Sequence, residues 1–178
     1  MKKLKIEELN RVTPDEYANV DKIKLSVVLD NVRSLNNIGS VFRTSDAFLV
    51  EKIYLCGISA TPPSAEIHKT ALGAEDTVKW EYVEDTLELV QRLKREGCIL
   101  LAVEQTEKST FLNCLQPDKD KSYAIVLGNE VKGVQQSVVD CCDGSIEIPQ
   151  FGTKHSLNVS VAAGIVIWQL FSLLHSKD

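Results

Sequence analysis

The 178-residue sequence has no CxxC pair, no HxxxH pair and no uninterrupted apolar run long enough to cross a bilayer. Its five cysteines, Cys56, Cys98, Cys114, Cys141 and Cys142, are odd in number. Zinc sites need Cys or His ligands paired at short spacing, so no metal is expected. Cys56 and Cys98 fall in apolar runs, where a free thiol packs as a small hydrophobe. The set reads as reduced thiols of a cytoplasmic protein. The longest apolar stretch, Val159–Leu174, is shorter than the about 20 residues of a membrane span and is broken by Ser160, Gly164, Gln169 and Ser172. The start, MKKLKIEELNR, is basic with no apolar segment behind it, unlike a signal peptide. A soluble cytoplasmic protein without a membrane partner is expected.

The familiar glycine signatures are missing too. LGNEVKGV, residues 127–134, contains G-x4-G, but Val134 and Gln135 stand where a phosphate loop needs Lys then Ser or Thr. No G-x-G-x-x-G follows the first strand, and there is no G-x-S-x-G elbow. His68, His155 and His175 show no metal spacing and read as loop or solvated side chains.

What is present suits one α/β domain. The apolar fraction, 44 %, is ordinary, and the length supports a sizeable core. Net charge is −5, which argues against a general nucleic-acid binder. Residues 1–52 carry nine Lys/Arg against eight Asp/Glu, or +1; residues 53–178 carry eleven against seventeen, or −6. The N-terminal part is therefore the relatively positive one.

Along the chain, strand and helix patterns alternate. Leu25–Asp30 and Lys52–Cys56 read as short strands, and Thr77–Val83 alternates Val78, Trp80 and Tyr82 as a strand with one wet face. Asn37–Phe48 is spaced as a helix. Asp85–Glu96 is amphipathic, with Asp85 as N-cap and Gly97 as stop. Cys98–Val103 and Tyr123–Leu127 are continuously apolar, as strands covered on both faces are. Gln135–Cys141 gives one or two helical turns, Ser145–Ile148 a strand stopped by Pro149, and Ser156–His175 a final helix capped by Ser156 or Asn158. The alternation predicts a mostly parallel sheet with helices on both faces. Ligands of such sheets bind beyond the carboxyl ends of the strands.

Three post-strand segments are rich in Asn, Gly and charge: residues 30–48, 127–133 and 148–158. They hold Asn37, Arg43, Asn129, Glu130, Ser156 and Asn158. Each has an ordinary explanation alone. Asn37 caps a helix, Arg43 decorates a helix surface, Asn129-Glu130 makes a turn, and Ser156 caps the last helix. Together, at the ends of three apolar strands, they read as a binding constellation.

These segments resemble the SpoU-type (TrmH-like) RNA ribose 2′-O-methyltransferases of the SPOUT superfamily. The resemblance rests on NNIGSVFRTSDAF, IVLGNEVKGV and IEIPQFGTKHSLNVSVAAG, in that order, and spans about residues 24–174. It implies a single methyltransferase domain, 24–178; residues 1–23, which it does not cover, are expected as an N-terminal extension of helical character. It implies a deep C-terminal trefoil knot, which pattern reasoning would reject because knots are nearly absent from proteins. It also implies a homodimer, with the apolar last helix in the core and at the interface.

The resemblance implies S-adenosylmethionine as cosubstrate, with no metal. Its adenosine would be held around Glu104, Gly128, Asn129, Ile148, Ser156 and Leu157, with glycines 128 and 133 allowing close approach of the main chain. Asn37, Arg43, Glu130, Ser156 and Asn158 would form the catalytic set. Arg43 is the family's essential residue, often described as the base. A guanidinium keeps its proton beyond pH 12, so gripping a phosphate and lowering the 2′-OH pKa is the easier role. Arg33, Arg43 and Lys24, with Arg11 and Lys22 nearby, would meet RNA. Ribosomal-RNA members commonly carry a separate N-terminal RNA-binding domain; only about 24 residues precede the first strand here, which favours tRNA over rRNA. A non-catalytic RNA-binding module on the same scaffold is the alternative, and an α/β protein for another nucleotide a third reading.

Overall fold

A computed structural model describes residues 1–175. A 3-10 turn, Ile6–Leu9, precedes α1 (Pro14–Tyr17), β1 (Ile23–Asp30), α2 (Leu35–Ala47), β2 (Val50–Cys56), α3 (Ala65–Ala71), α4 (Ala74–Thr77) and β3 (Trp80–Val83). Then come α5 (Thr86–Arg95), β4 (Ile99–Val103), β5 (Thr110–Phe111), a second 3-10 turn Leu112–Cys114, β6 (Tyr123–Leu127), α6 (Gln136–Cys141), β7 (Gly144–Glu147) and α7 (Val159–Leu174). The seven strands form one sheet in the order β3-β2-β1-β6-β4-β7-β5, and each named pairing is parallel.

Parallel strands need crossovers, and the crossovers cover both faces of the sheet. On one face Val27, Leu29, Ile53, Leu55, Ile125 and Leu127 pack against α2, α3 and α7 through Ile38, Phe42, Ile67, Val166 and Leu170. On the other, Val28, Tyr54, Leu100 and Val126 meet Leu89, Val90, Leu93 and Val138 of α5 and α6. β6, in the middle of the sheet, is therefore buried throughout. Among the described residues no helix is long and apolar enough to cross a membrane.

Several boundaries differ from the sequence expectation. Residues 77 and 78 are not strand: Thr77 closes α4, whose C-cap is Val78, so β3 begins only at Trp80. The loop-like stretch before it holds α3, capped by Ser64, whose hydroxyl accepts from the Ile67 N–H. β1 and β2 start two residues earlier than expected. The final helix begins at Val159, with Asn158 as its cap; Ser156 lies outside it in coil. Asp85 caps α5 as expected, accepting from the N–H groups of Leu87 and Glu88.

Before β1, Tyr17 turns into the core at 4 % exposure, and its hydroxyl donates to the Asp46 carbonyl at 3.4 Å. Lys22 folds back over the Tyr17 ring and donates to the carbonyls of Tyr17 and Val20.

Candidate active site

The carboxyl ends of β4, β6 and β7 open onto a cavity of about 580 Å³. It is built by the turns after β6 and β7, with the end of β4 as its third wall. Glu104, Gly128, Asn129, Ile148, Ser156 and Leu157, the whole expected cofactor set, line it, and so do Glu130 and Asn158.

The turn after β6 is closed on itself. Asn129 N–H donates to the Gly133 carbonyl at 3.0 Å and Gly133 N–H returns to Asn129 at 2.9 Å. The Asn129 side chain accepts from Val131 and Lys132 N–H, a local Asx arrangement. Gly133 has φ +69°, and a Cβ there would lie 2.2 Å from a Glu104 oxygen. That close approach lets Glu104 accept from the Val134 N–H at 2.9 Å, tying β4 to the turn.

The same turn is fastened to the end of β1. Asn129 Nδ2 donates to the Asn31 carbonyl at 2.8 Å. Asp30, fully buried, accepts from Thr86 Oγ1 at 2.7 Å and from Gln135 N and Nε2 at 2.9 and 2.8 Å. Glu130 reaches across to α2: its carboxylate accepts from Arg33 N (3.0 Å), Ser34 N (2.9 Å) and Asn37 Nδ2 (3.1 Å). Asn37 is not the helix cap. Ser34 takes that role, its hydroxyl accepting from Asn37 N–H at 3.3 Å, which leaves the Asn37 amide free for the site. Asn37 Oδ1 then accepts from Asn158 Nδ2 at 3.2 Å, while Asn158 Oδ1 caps α7 through Ser160 and Val161 N–H. Glu130, Asn37 and Asn158 thus join the starts of α2 and α7 to the turn after β6.

Segment 149–158 is different. Among the described residues, no backbone N–H of residues 150–157 has a hydrogen-bond acceptor; the segment is held by Gln105 Nε2 donating to the His155 carbonyl at 3.0 Å. A run of unpaired amides beside an open cavity is a site for a polar small molecule. Gln105, Glu147 and Gln150 also line the cavity. Glu147 and Gln150 lie within the stretch IEIPQFGTKHSLNVSVAAG but were not singled out there; Gln105 lies outside all three stretches, and its only signal was position just beyond an apolar strand.

The expected RNA-contacting residues divide. Arg33 is exposed beside the site through its main chain. Arg43 lies six residues beyond Asn37, roughly 9 Å farther along α2. It is exposed, its side chain makes no hydrogen bond or ion pair among the described residues, and it does not line the cavity. Lys24 is at the opposite end of the sheet, at the start of β1, donating to the Asp120 carbonyl at 3.1 Å. Lys24 is therefore not part of this site.

Burial pushes the Glu130 carboxyl up, but the N–H groups of Arg33 and Ser34, with the Asn37 amide, hold it below its ordinary value of 4.5. A depressed folded pKa contributes stability above the ordinary value and loses it as pH falls through the folded one. The tie between 30–34 and 127–135 should therefore loosen at pH below about 4.5. Protection factors of the Arg33 and Ser34 amides are expected to drop there, and the drop should be absent in Glu130→Gln. A pH-independent wild type would overturn this.

Fold and site together define a parallel α/β domain with a cavity at the carboxyl ends of its strands, where sheets of this kind bind ligands. The chain belongs to the SpoU rRNA methylase family, whose model matches residues 24–168. It is 32 % identical over 153 residues to the 23S rRNA (guanosine-2′-O-)-methyltransferase RlmB of Neisseria meningitidis, covering 86 % of this chain and 60 % of the relative. The chain thus spans about three-fifths of that relative's length. Among solved structures, the A. aeolicus TrmH/SpoU tRNA modifying enzyme superposes with a TM-score of 0.80 at 26 % identity, over 91 % of this chain and 82 % of that one. An AdoMet-bound rRNA methyltransferase of Sinorhizobium meliloti gives 0.76 at 25 %, over 89 % and 60 %.

Proposed function

We propose that the protein transfers a methyl group from S-adenosylmethionine to a ribose 2′-OH of RNA, in the cytoplasm, with tRNA as the first substrate to try. The observation that carries this is the convergence of all six expected cofactor residues on one cavity beside the Glu130–Asn37–Asn158 network. The relative from N. meningitidis is described as a guanosine 2′-O-methyltransferase of 23S rRNA, the A. aeolicus one as modifying tRNA. The tRNA choice leans on the second, whose chain is matched over 82 %.

The cavity suits the cofactor. The unpaired amides of 150–157 answer an adenosine's polar edges, and half-buried Ile148 and the partly exposed Leu157 offer apolar surface to its base. When bound, the cofactor supplies a methyl group already activated on a sulfonium cation. The protein's own task is to hold a 2′-OH in line with that methyl and to ease loss of its proton. Asn37, Glu130 and Asn158 fix the ends of α2 and α7 around the reacting centre, and Ser156 supports the cofactor. Arg43 acts through charge. Neutralising a guanidinium at pH 7 costs on the order of 7 kcal/mol, whereas a charged one grips phosphate through two parallel bonds and stabilises developing alkoxide.

A homodimer is part of the proposal. Val161, Ile165 and Trp168 form an exposed apolar stripe on α7, at i, i+4 and i+7, with 50, 38 and 53 % exposure. α2 and α7 start side by side, so Arg43 lies roughly level with Val161–Ile165. A second copy on the stripe would put Arg43 at the edge of the partner's cavity. The trefoil knot belongs to the same reading; the turn after β6, fastened to both β1 and β4, supports it.

The test is methyl transfer from labelled S-adenosylmethionine to bulk tRNA and to rRNA, with nuclease mapping of 2′-O-methyl positions and sedimentation of the same protein. Methylation at a ribose by a dimer is expected. Base methylation, or no calorimetric binding of S-adenosylhomocysteine, overturns it; RNA binding without cofactor binding would identify the silent module instead.

A further inference from the structure

We infer that the carboxyl ends of β2 and β3 form a landing surface for a nucleobase flanking the methylated nucleotide, with Tyr82 as its stacking face and Ile58 beside it. The inference rests on the RNA methyltransferase reading and adds to it a place where RNA is held.

Tyr82 is level with the cofactor cavity. It pairs in register with Leu55, Leu55 with Leu29, and Leu29 with Leu127, the residue before Gly128. Three strand spacings separate the ends of that row, roughly 14 Å. That is within reach of a nucleotide next to one whose ribose lies at Glu130 and Asn37.

The surface is apolar, exposed and fixed. Tyr82 is 47 % exposed and Ile58 65 %. Trp80, two residues earlier on the same side of β3, packs on the core, whereas the Tyr82 ring has no aromatic or cationic neighbour among the described residues. Its hydroxyl donates to the Gly57 carbonyl at 3.0 Å. Ile58 N–H donates to Asn31 Oδ1 at 3.1 Å, and the Asn31 carbonyl accepts from Asn129. The ring is thus tethered through a short bonded path to the turn that walls the cavity. A pre-oriented aromatic face loses little freedom when a base stacks on it.

Charge decides which part of RNA can lie there. Glu84 and Asp85, two and three residues after Tyr82, are exposed. They repel phosphate and leave the uncharged face of a base as the group that fits. Arg33, exposed two residues beyond Asn31 and with no side-chain partner among the described residues, is the nearby cation for the backbone. RNA recognition of this kind, unstacked bases on aromatic rings, is widespread. Two exposed side chains are too little for a protein interface, which needs about 800 Å² per partner.

The test measures affinity of the full-length protein for a mixed-sequence single-stranded oligoribonucleotide by fluorescence anisotropy, with S-adenosylhomocysteine saturating. Tyr82→Ala should weaken RNA binding about tenfold, Tyr82→Phe should retain most of it, and both should bind S-adenosylhomocysteine as wild type does. Wild-type RNA affinity in Tyr82→Ala overturns this inference and leaves the methyltransferase reading intact. A wild type that binds neither ligand overturns both. A changed sedimentation coefficient with unchanged RNA affinity would make the surface a subunit contact and also overturn the inference.

Discussion

Arg43→Lys is expected to lower kcat for 2′-O-methylation by about 10²–10³-fold while leaving affinity for S-adenosylhomocysteine unchanged. The positive charge survives this substitution, so a role as a mere point charge would survive with it. What is lost is the planar fork that binds a phosphate through two parallel bonds and fixes its orientation. The Arg43 side chain has no hydrogen bond or ion pair among the described residues, so the fold should not notice the change. A thermal unfolding midpoint equal to wild type, beside the collapsed kcat, would establish that the residue serves the reaction alone. Near-normal turnover would remove the bidentate phosphate grip and leave Arg43 at most a point charge. Mixing Arg43→Lys protein with a variant damaged in the cavity gives a second reading: recovered activity in the mixture places Arg43 in the partner's site.

The parts of the fold that were legible are those governed by local chemistry. Asp85 before an amphipathic stretch and Gly97 after it mark α5 at both ends, and the cap bonds are there. β4 and β6 announce themselves as unbroken apolar runs because both their faces are covered. α3 and α4, seven and four residues long, are too short for periodicity to declare them, and the proline-rich approach TPPS reads as loop. β5, of two residues, exists only because β7 lies beside it. The insertion of β6 between β1 and β4 is a long-range pairing that no local pattern encodes.

The site was legible as three segments, not as an arrangement. Apolar strands followed by Asn- and Gly-rich turns point to the carboxyl edge of the sheet, and the cavity is there. The pairings that build it join residues more than ninety positions apart: Glu130 to Arg33, Ser34 and Asn37, and Asn37 to Asn158. Asn37 and Arg43 share a motif, but six residues along a helix is one and two-thirds turns, so they leave the axis in different directions. Lys24 shares a strand with Asp30, yet six residues of extended chain set it roughly 20 Å away. Neighbours in sequence were over-read as neighbours in space. Neighbours in space were under-read.

Gly128→Ala should abolish measurable binding of S-adenosylhomocysteine, and the reason is backbone rather than side chain. A Cβ at 128 would stand 2.0 Å from the Gly133 carbonyl carbon and 2.1 Å from Val134 N. Neither atom is the far end of a flexible group, so the turn itself must open. Opening it breaks the reciprocal Asn129–Gly133 pair and the Val134–Glu104 bond together. Overpacking of this sort costs about 1–3 kcal/mol, which a domain of this size survives. The variant is therefore expected to fold, with a lowered midpoint, and to fail in calorimetric titration. Gly152→Ala is the matching control. It lies in the other turn bordering the cavity, and a Cβ there meets nothing within 4 Å, so it should bind S-adenosylhomocysteine like wild type. Equal affinity in both variants would mean that close approach of the chain at Gly128 does not shape the cofactor site; loss in both would mean that any stiffening of these turns suffices. Loss in Gly128→Ala alone ties cofactor affinity to the closed form of the 128–134 turn.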